Sequence, residues 1–177
     1  MKVLMPLAEG FEEIEALSTV DVLRRAGIEI VTAGIPGTIV RGSRNITVMT
    51  DKKIEDVKID EYDALVLPGG SPGYVNLGKS GTVMDAIRKF DSEKKLIAAI
   101  CAAPTILAKA GILEERHATV YPGMERQLPR PRDGRVVVDE HIITSQGPGT
   151  ALEFALRIVE TLLGREKSNE VKRQLVF

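Results

Sequence analysis

The chain has 177 residues, enough for one domain whose core needs no disulfide or metal staple. Its 24 basic and 25 acidic residues give a net charge of −1 with no basic run, so the field of a nucleic-acid binder is missing and no specific nucleic acid is expected. One cysteine, Cys101, and two distant histidines, His117 and His141, exclude an internal disulfide framework and a Cys-rich zinc site and argue against a His-based metal centre.

Residues 2–8 (KVLMPLA) are a short apolar run ending near Gly10 and read as a buried strand. Residues 12–26 have helical spacing, with Ala16, Leu17, Val20 and Leu23 on one face and Gly27 as the stop. Residues 28–33 read as a second strand, completing a βαβ unit, which needs parallel pairing. Between 37 and 50, two β-branched pieces flank RGSRN and predict a hairpin or flap. ALVLPGG (64–70) is a strand ending in a glycine turn. Residues 80–90 form a helix with Ser80 as cap and Val83, Ile87 and Phe90 inward.

LIAAI (96–100) is fully apolar, as the centre of a parallel sheet requires. Pro104 and Gly111 bracket the next helix. A strand at 118–121 and a proline-rich excursion follow. RVVVDEHIITSQ predicts two strands around Asp139-Glu140. A long helix then carries Leu152, Ala155, Leu156, Val159, Leu162 and Leu163 as a stripe, with Thr150 and Glu153 at capping-box spacing. Phe154 and Ile158 widen its apolar face enough for cover on two sides. The alternation implies a single domain, 1–177, folded as a three-layer α/β sandwich around a mostly parallel sheet.

The longest nearly apolar stretch, 96–108, is broken by Pro104 and is shorter than the ~18–20 residues of a membrane span. The N-terminus turns acidic at Glu9, without a signal-peptide core. A soluble, cytoplasmic protein with no membrane partner is expected.

In such sheets, sites lie beyond the carboxyl ends of the strands. There AAICAAPT places Cys101 between a strand and a helix, among small residues that permit a sharp turn, which reads as a nucleophile elbow. The competing reading is a buried structural cysteine. Gly69 and Gly70 could present backbone amides beside it as an oxyanion cradle, or merely end a strand. Glu12, Glu13 and Glu15 stand in the first turns of a helix, where acids also stabilise the dipole; periodicity does not say which faces a site. GPGT (147–150) lacks the third glycine of a dinucleotide loop and the lysine of a phosphate loop, so no cofactor is expected.

The pieces GFEEIEA, DVLRRAGI, GSRN, YDALVLPGG, LIAAICAAPTIL, TSQGPGTALEFAL, LLGRE and QLVF, in this order, resemble the ThiJ/PfpI superfamily. The branch they resemble most is that of the parkinsonism-associated DJ-one proteins and their bacterial YajL-like relatives. The resemblance implies a flavodoxin-like sandwich and a homodimer. It maps a reactive cysteine onto Cys101, a protonated glutamate touching it onto Glu15, and backbone donors onto Gly70 and Ala102. It places a basic pocket residue at Arg44 and a dimer-side arginine at Arg25. Val22 and Ile14, apolar and off the main stripe of the first helix, are expected to serve that interface. Where the human-like branch carries a histidine, VYPGM has Tyr121, so a histidine proton shuttle does not carry over. Ala102 stands where the protease-like branch has histidine, which disfavours a Cys-His pair.

Two functions follow from the resemblance. One is a cofactor-independent enzyme on reactive carbonyls, a glyoxalase or deglycase acting on small aldehydes or on glycated protein and nucleotide groups. The other is a redox-sensing, chaperone-like protein without turnover. An amidase or peptidase of the wider superfamily is a third reading.

Overall fold

The computed structural model describes residues 1–177. Its strands are β1 (Lys2–Ala8), β2 (Glu29–Ile35), β3 (Ile39–Arg41), β4 (Thr47–Met49), β5 (Lys52–Lys53), β6 (Ala64–Leu67), β7 (Leu96–Ile100), β8 (Val136–Asp139) and β9 (Ile142–Ser145). Its α-helices are α1 (Glu13–Arg25), α2 (Gly73–Leu77), α3 (Gly81–Ser92), α4 (Pro104–Lys109), α5 (Ala151–Leu163) and α6 (Arg165–Leu175). Seven strands form one sheet in the order β5-β2-β1-β6-β7-β9-β8, parallel except for β8 against β9. The predicted flap is the antiparallel pair β3–β4. No helix is long and apolar enough to cross a membrane.

The period of two decides where each strand residue goes. On β7, Leu96, Ala98 and Ile100 join the core beneath α1 and α5, while Ile97 and Ala99 join the core beneath α3 and α4. Val3, Met5 and Leu7 of β1 face the first layer and Leu4 and Ala8 the second. Both faces of these strands are covered, which is why their sequences read as unbroken apolar runs. Ser80 caps α3 as predicted, its hydroxyl accepting the Val83 N–H, and Val83, Ile87 and Phe90 are buried.

Several expectations need correcting. On α1 the buried face is Glu15, Ala16, Thr19, Val20, Val22 and Leu23, whereas Leu17 is exposed. Val22 is therefore core, and Ile14 and Leu17 are the exposed apolar side chains of this helix. Leu152 and Leu163 of α5 are exposed too, whereas Phe154 and Ile158 are buried as expected of a helix covered on two sides, here by the sheet and by α1.

The Thr150–Glu153 capping box does not form. Thr150 Oγ1 instead lies 2.6 Å from Ser145 Oγ and donates to the Gly147 carbonyl (2.9 Å), and Glu153 accepts from Arg135. The predicted strand at 118–121 shrinks to a single bridge between Ala118 and Pro131, because Thr119 gives its N–H to the Thr144 hydroxyl rather than to a ladder. The polar C-terminal helix α6 was not expected. Gly164, at φ +89, ends α5 before it, and Ser168 and Val171 tie it down.

Candidate active site

Cys101 follows β7 directly and has φ +64, a left-handed conformation rare for a side chain with a Cβ. Such a residue costs ~1–3 kcal/mol and persists only where its surroundings fix it. Here they do: the Cys101 N–H donates to the Ser145 carbonyl (2.9 Å), continuing the β7–β9 register, and its carbonyl accepts the Tyr121 N–H (2.8 Å). The elbow turns the half-buried thiol out of the sheet, where the backbone N–H groups of Gly70 and Ala102 favour its ionised form.

Glu15 comes to the same point from α1 and is completely buried. Its Oε2 accepts the Gly69 N–H at 2.8 Å, Oε1 receives no donor, and the Cys101 thiol is a neighbour that pulls the carboxyl down. The other two acids of the motif have different partners. Glu13 Oε1 accepts the N–H groups of Arg44 (2.8 Å) and Ile46 (3.2 Å), joining α1 to the β3–β4 turn. Burial works to raise the Glu13 carboxyl, but these donors outweigh it and hold it below the usual carboxylate range. Glu12 Oε2 accepts from Ser43 Oγ (3.0 Å) and has Arg44 Nε at 3.9 Å.

Gly69 and Gly70 are glycine for separate reasons. A Cβ at Gly69 would lie 2.5 Å from the Cys101 Cβ and 2.8 Å from Glu15 Oε2, so side-chain bulk there would wedge thiol and carboxyl apart. Gly70 has φ +90, and a Cβ on it would lie 2.2 Å from the Glu12 nitrogen.

A cavity of about 350 Å³ opens over the sulfur. The expected Gly70, Ala102, Arg44 and Tyr121 line it, and Arg44 is largely exposed. Gly69 does not; its contribution is the amide beneath Glu15. Glu12, one of the three acids left undecided in the sequence, lines it too; sequence reasoning missed Ser71, Tyr74, Met124 and Pro148, although the last two lie within motifs already singled out. Arg25 lies at the far end of α1, exposed and paired with Asp21 (2.8 Å).

The histidines sit elsewhere. The His141 carbonyl accepts the Ile97 N–H at the amino end of β7, and its imidazole Nε2 is 2.8 Å from Asp91 Oδ1. Four residues of strand place that end roughly 13 Å from Cys101. His117 lies beside Asp139 on the same edge (3.4 Å). No group of three or more His, Cys, Asp or Glu side chains is placed to hold a metal ion.

Burial pushes the Glu15 carboxyl up to about 7, against the Gly69 N–H and the thiol, which pull it down. Burial, and then the charge of an ionised Glu15, push the Cys101 thiol up, while the Gly70 and Ala102 N–H groups act the other way; a proton on Glu15 removes the second cause.

An elbow cysteine thus stands beside a buried glutamate of the first helix and the glycine turn after β6. The family model for DJ-1/PfpI matches residues 1–161. The chain belongs to the DJ-1/PfpI family. Within it the chain sides with the DJ-1 branch. It is 46% identical over 178 residues to protein dj-1beta of Drosophila melanogaster, covering 98% of this chain and 95% of the relative. It is also 39% identical over 176 residues to a Caenorhabditis elegans protein named glutathione-independent glyoxalase DJR-1.2, covering 98% and 94%. The oxidised form of Toxoplasma gondii DJ-1 superposes with a TM-score of 0.97 at 41% identity, covering 99% of this chain and 98% of that one.

Proposed function

We propose that this family member is a cofactor-independent glyoxalase that uses Cys101 as nucleophile and Glu15 as acid and base, with Gly70 and Ala102 as backbone donors. The observation that carries the reading is the pairing at the elbow. A strained elbow cysteine, whose ionised form the Gly70 and Ala102 N–H groups favour, stands beside a fully buried carboxyl whose Oε1 lacks a donor. Moving the proton from sulfur to Glu15 suits both. The thiolate keeps the two amide donors, and the carboxylic acid donates its O–H to sulfur while Oε2 keeps the Gly69 amide. The charge of an ionised Glu15, which opposes the thiolate, then disappears.

The chemistry balances without a cofactor. The thiolate attacks the aldehyde carbon of an α-oxoaldehyde; a C–S bond forms, and the carbonyl oxygen takes the Glu15 proton. The resulting carboxylate removes the C–H proton of the hemithioacetal and delivers it to the neighbouring carbon, through an enediol. The first carbon is oxidised to a thioester and the second reduced to an alcohol. Water hydrolyses the thioester, releasing a 2-hydroxy acid and regenerating the thiol. Scavenging free aldehyde also draws down its reversible adducts on protein and nucleotide amines, so a deglycase activity shares this substrate class. The relative named a glyoxalase supports the assignment.

Purified protein is expected to convert methylglyoxal to lactate, with loss of at least a hundredfold in Cys101→Ser and in Glu15→Gln. Turnover that persists in Cys101→Ser would refute the reading.

A second reading, a redox sensor, is favoured by the same accessible sulfur and by the near-superposition on an oxidised relative. Peroxide would convert the thiolate to sulfenic and then sulfinic acid, whose oxygens the Gly70 and Ala102 amides and the Glu15 O–H could bind. We further propose a homodimer. Ile14 and Leu17 of α1 and Ile39, Ile46 and Met49 of the flap are exposed apolar side chains, and Glu13 joins these two elements into one face.

A further inference from the structure

The cavity over Cys101 is divided by chemistry. Glu12 and Arg44 stand together, with Arg44 Nε 3.9 Å from Glu12 Oε2. Tyr121, Met124 and Pro148 bring aromatic and apolar surface, the Met124 N–H donating to the Tyr121 carbonyl and the Tyr121 ring lying against Gly147, next to Pro148. Its volume of about 350 Å³ falls within the ~300–1,000 Å³ range of pockets that enclose drug-sized ligands, far more than a three-carbon aldehyde fills.

Tyr121 is the fixed part of the apolar side, although its side chain is 47% exposed. Its N–H donates to the Cys101 carbonyl (2.8 Å) and its carbonyl accepts the Met124 N–H (3.0 Å). Its ring lies against Gly147, where an added Cβ would come within 3.3 Å of Cδ2 and 3.6 Å of Cε2. The backbone of Tyr121 is thus tied to the nucleophile's own carbonyl, and its ring rests against Gly147 at the wall of the cavity.

We infer that Tyr121 is a specificity-determining residue, and that the site favours α-oxoaldehydes carrying an aryl or other bulky apolar substituent over methylglyoxal. This rests on the glyoxalase reading for its substrate. With the carbonyl carbon at sulfur, a flat apolar substituent has a place on the Tyr121–Met124–Pro148 side. An anionic substituent turned to the other side would meet the Glu12 carboxylate as well as Arg44. Stacking on the ring is worth about a fivefold preference.

The test compares kcat/KM for phenylglyoxal and methylglyoxal in the wild type, Tyr121→Phe, Tyr121→Ala and Met124→Ala. In parallel, it compares the rates at which N-phenylmaleimide and N-methylmaleimide alkylate Cys101, each divided by its rate with a free small thiol. The wild type is expected to favour the phenyl member in both assays. The preference should fall at least fivefold in Tyr121→Ala, fall less in Met124→Ala, and stay within twofold in Tyr121→Phe. Phenyl-to-methyl ratios that move in neither variant, with circular dichroism intact, overturn the inference. If no aldehyde is turned over but the maleimide ratios shift as stated, the glyoxalase reading fails while the Tyr121 wall stands. Aldehyde turnover with both ratios unmoved sinks the wall alone.

Discussion

Glu15→Gln is the substitution whose consequences the structure sets most sharply. Glu15 is the most deeply buried acid in the chain, and burial lifts its carboxyl from the ordinary 4.5 to about 7. The folded state therefore holds this proton more tightly than the unfolded one. Between pH 4.5 and 7 the native protein carries more protons, so stability is fully present below 4.5 and is lost as pH rises through 7. The shift of 2.5 corresponds to about 3 kcal/mol at ~1.4 kcal/mol per pH unit. Glutamine keeps an acceptor for the Gly69 amide but has no proton to lose in this range.

The clean comparison uses a Cys101→Ala background, in which sulfur cannot titrate. Denaturant unfolding of Cys101→Ala and of Cys101→Ala/Glu15→Gln, from pH 4 to pH 8, should give a difference in stability that moves by about 3 kcal/mol against the Glu15-containing protein. Other titrating groups are common to both and cancel. A difference that changes by less than ~1 kcal/mol would show that burial does not hold the proton on this carboxyl, and would remove the basis for a protonated Glu15 beside the thiol.

Other outcomes follow from the same geometry. Glu15→Leu should raise the pH midpoint of Cys101 alkylation, because the sulfur loses the O–H that favours thiolate; a lowered midpoint would place the resting charge on the carboxyl instead. Gly69→Ala puts a Cβ 2.5 Å from the Cys101 Cβ and 2.8 Å from Glu15 Oε2, so it should cost ~1–3 kcal/mol in thermal unfolding and at least tenfold in methylglyoxal turnover. Unchanged kinetics would contradict the close packing of the pair. His117→Ala and His141→Ala should keep turnover within about threefold, as both imidazoles lie at the opposite edge of the sheet. A hundredfold loss in either, with native circular dichroism, would revive the amidase-like reading. A dimer built on the apolar face should dissociate in Ile39→Lys/Met49→Glu, read by sedimentation velocity at micromolar concentration; a wild-type monomer would defeat that proposal.

The order of elements was legible because periodicity reports burial directly. LIAAI had to be a strand covered on both faces, and ALVLPGG had to end at a glycine turn. The elbow was legible in part: a cysteine among alanines before a proline suits a sharp strand-to-helix turn as well as a buried structural position, and φ +64 decides for the turn. Periodicity failed where two layers compete for one helix. Leu17 and Val22 exchanged roles because α1 packs against both the sheet and α5, so its buried face is wider than, and rotated from, the stripe read locally.

Proximity across the chain is what no local pattern contains. Glu13 and Glu15 are alike in composition and spacing. One ends under the flap accepting amides from Arg44 and Ile46, the other under Gly69 beside a sulfur 86 positions away in sequence. Resemblance to a family named Glu15, but the physical reason is tertiary. Only the packing of α1 on the sheet turns that carboxyl inward, strips it of water and leaves the thiol as its neighbour. The apolar side of the cavity is likewise a product of assembly, since α2, the strap through Tyr121 and Met124, and the loop after β9 meet only once the parallel strands bring their carboxyl ends together.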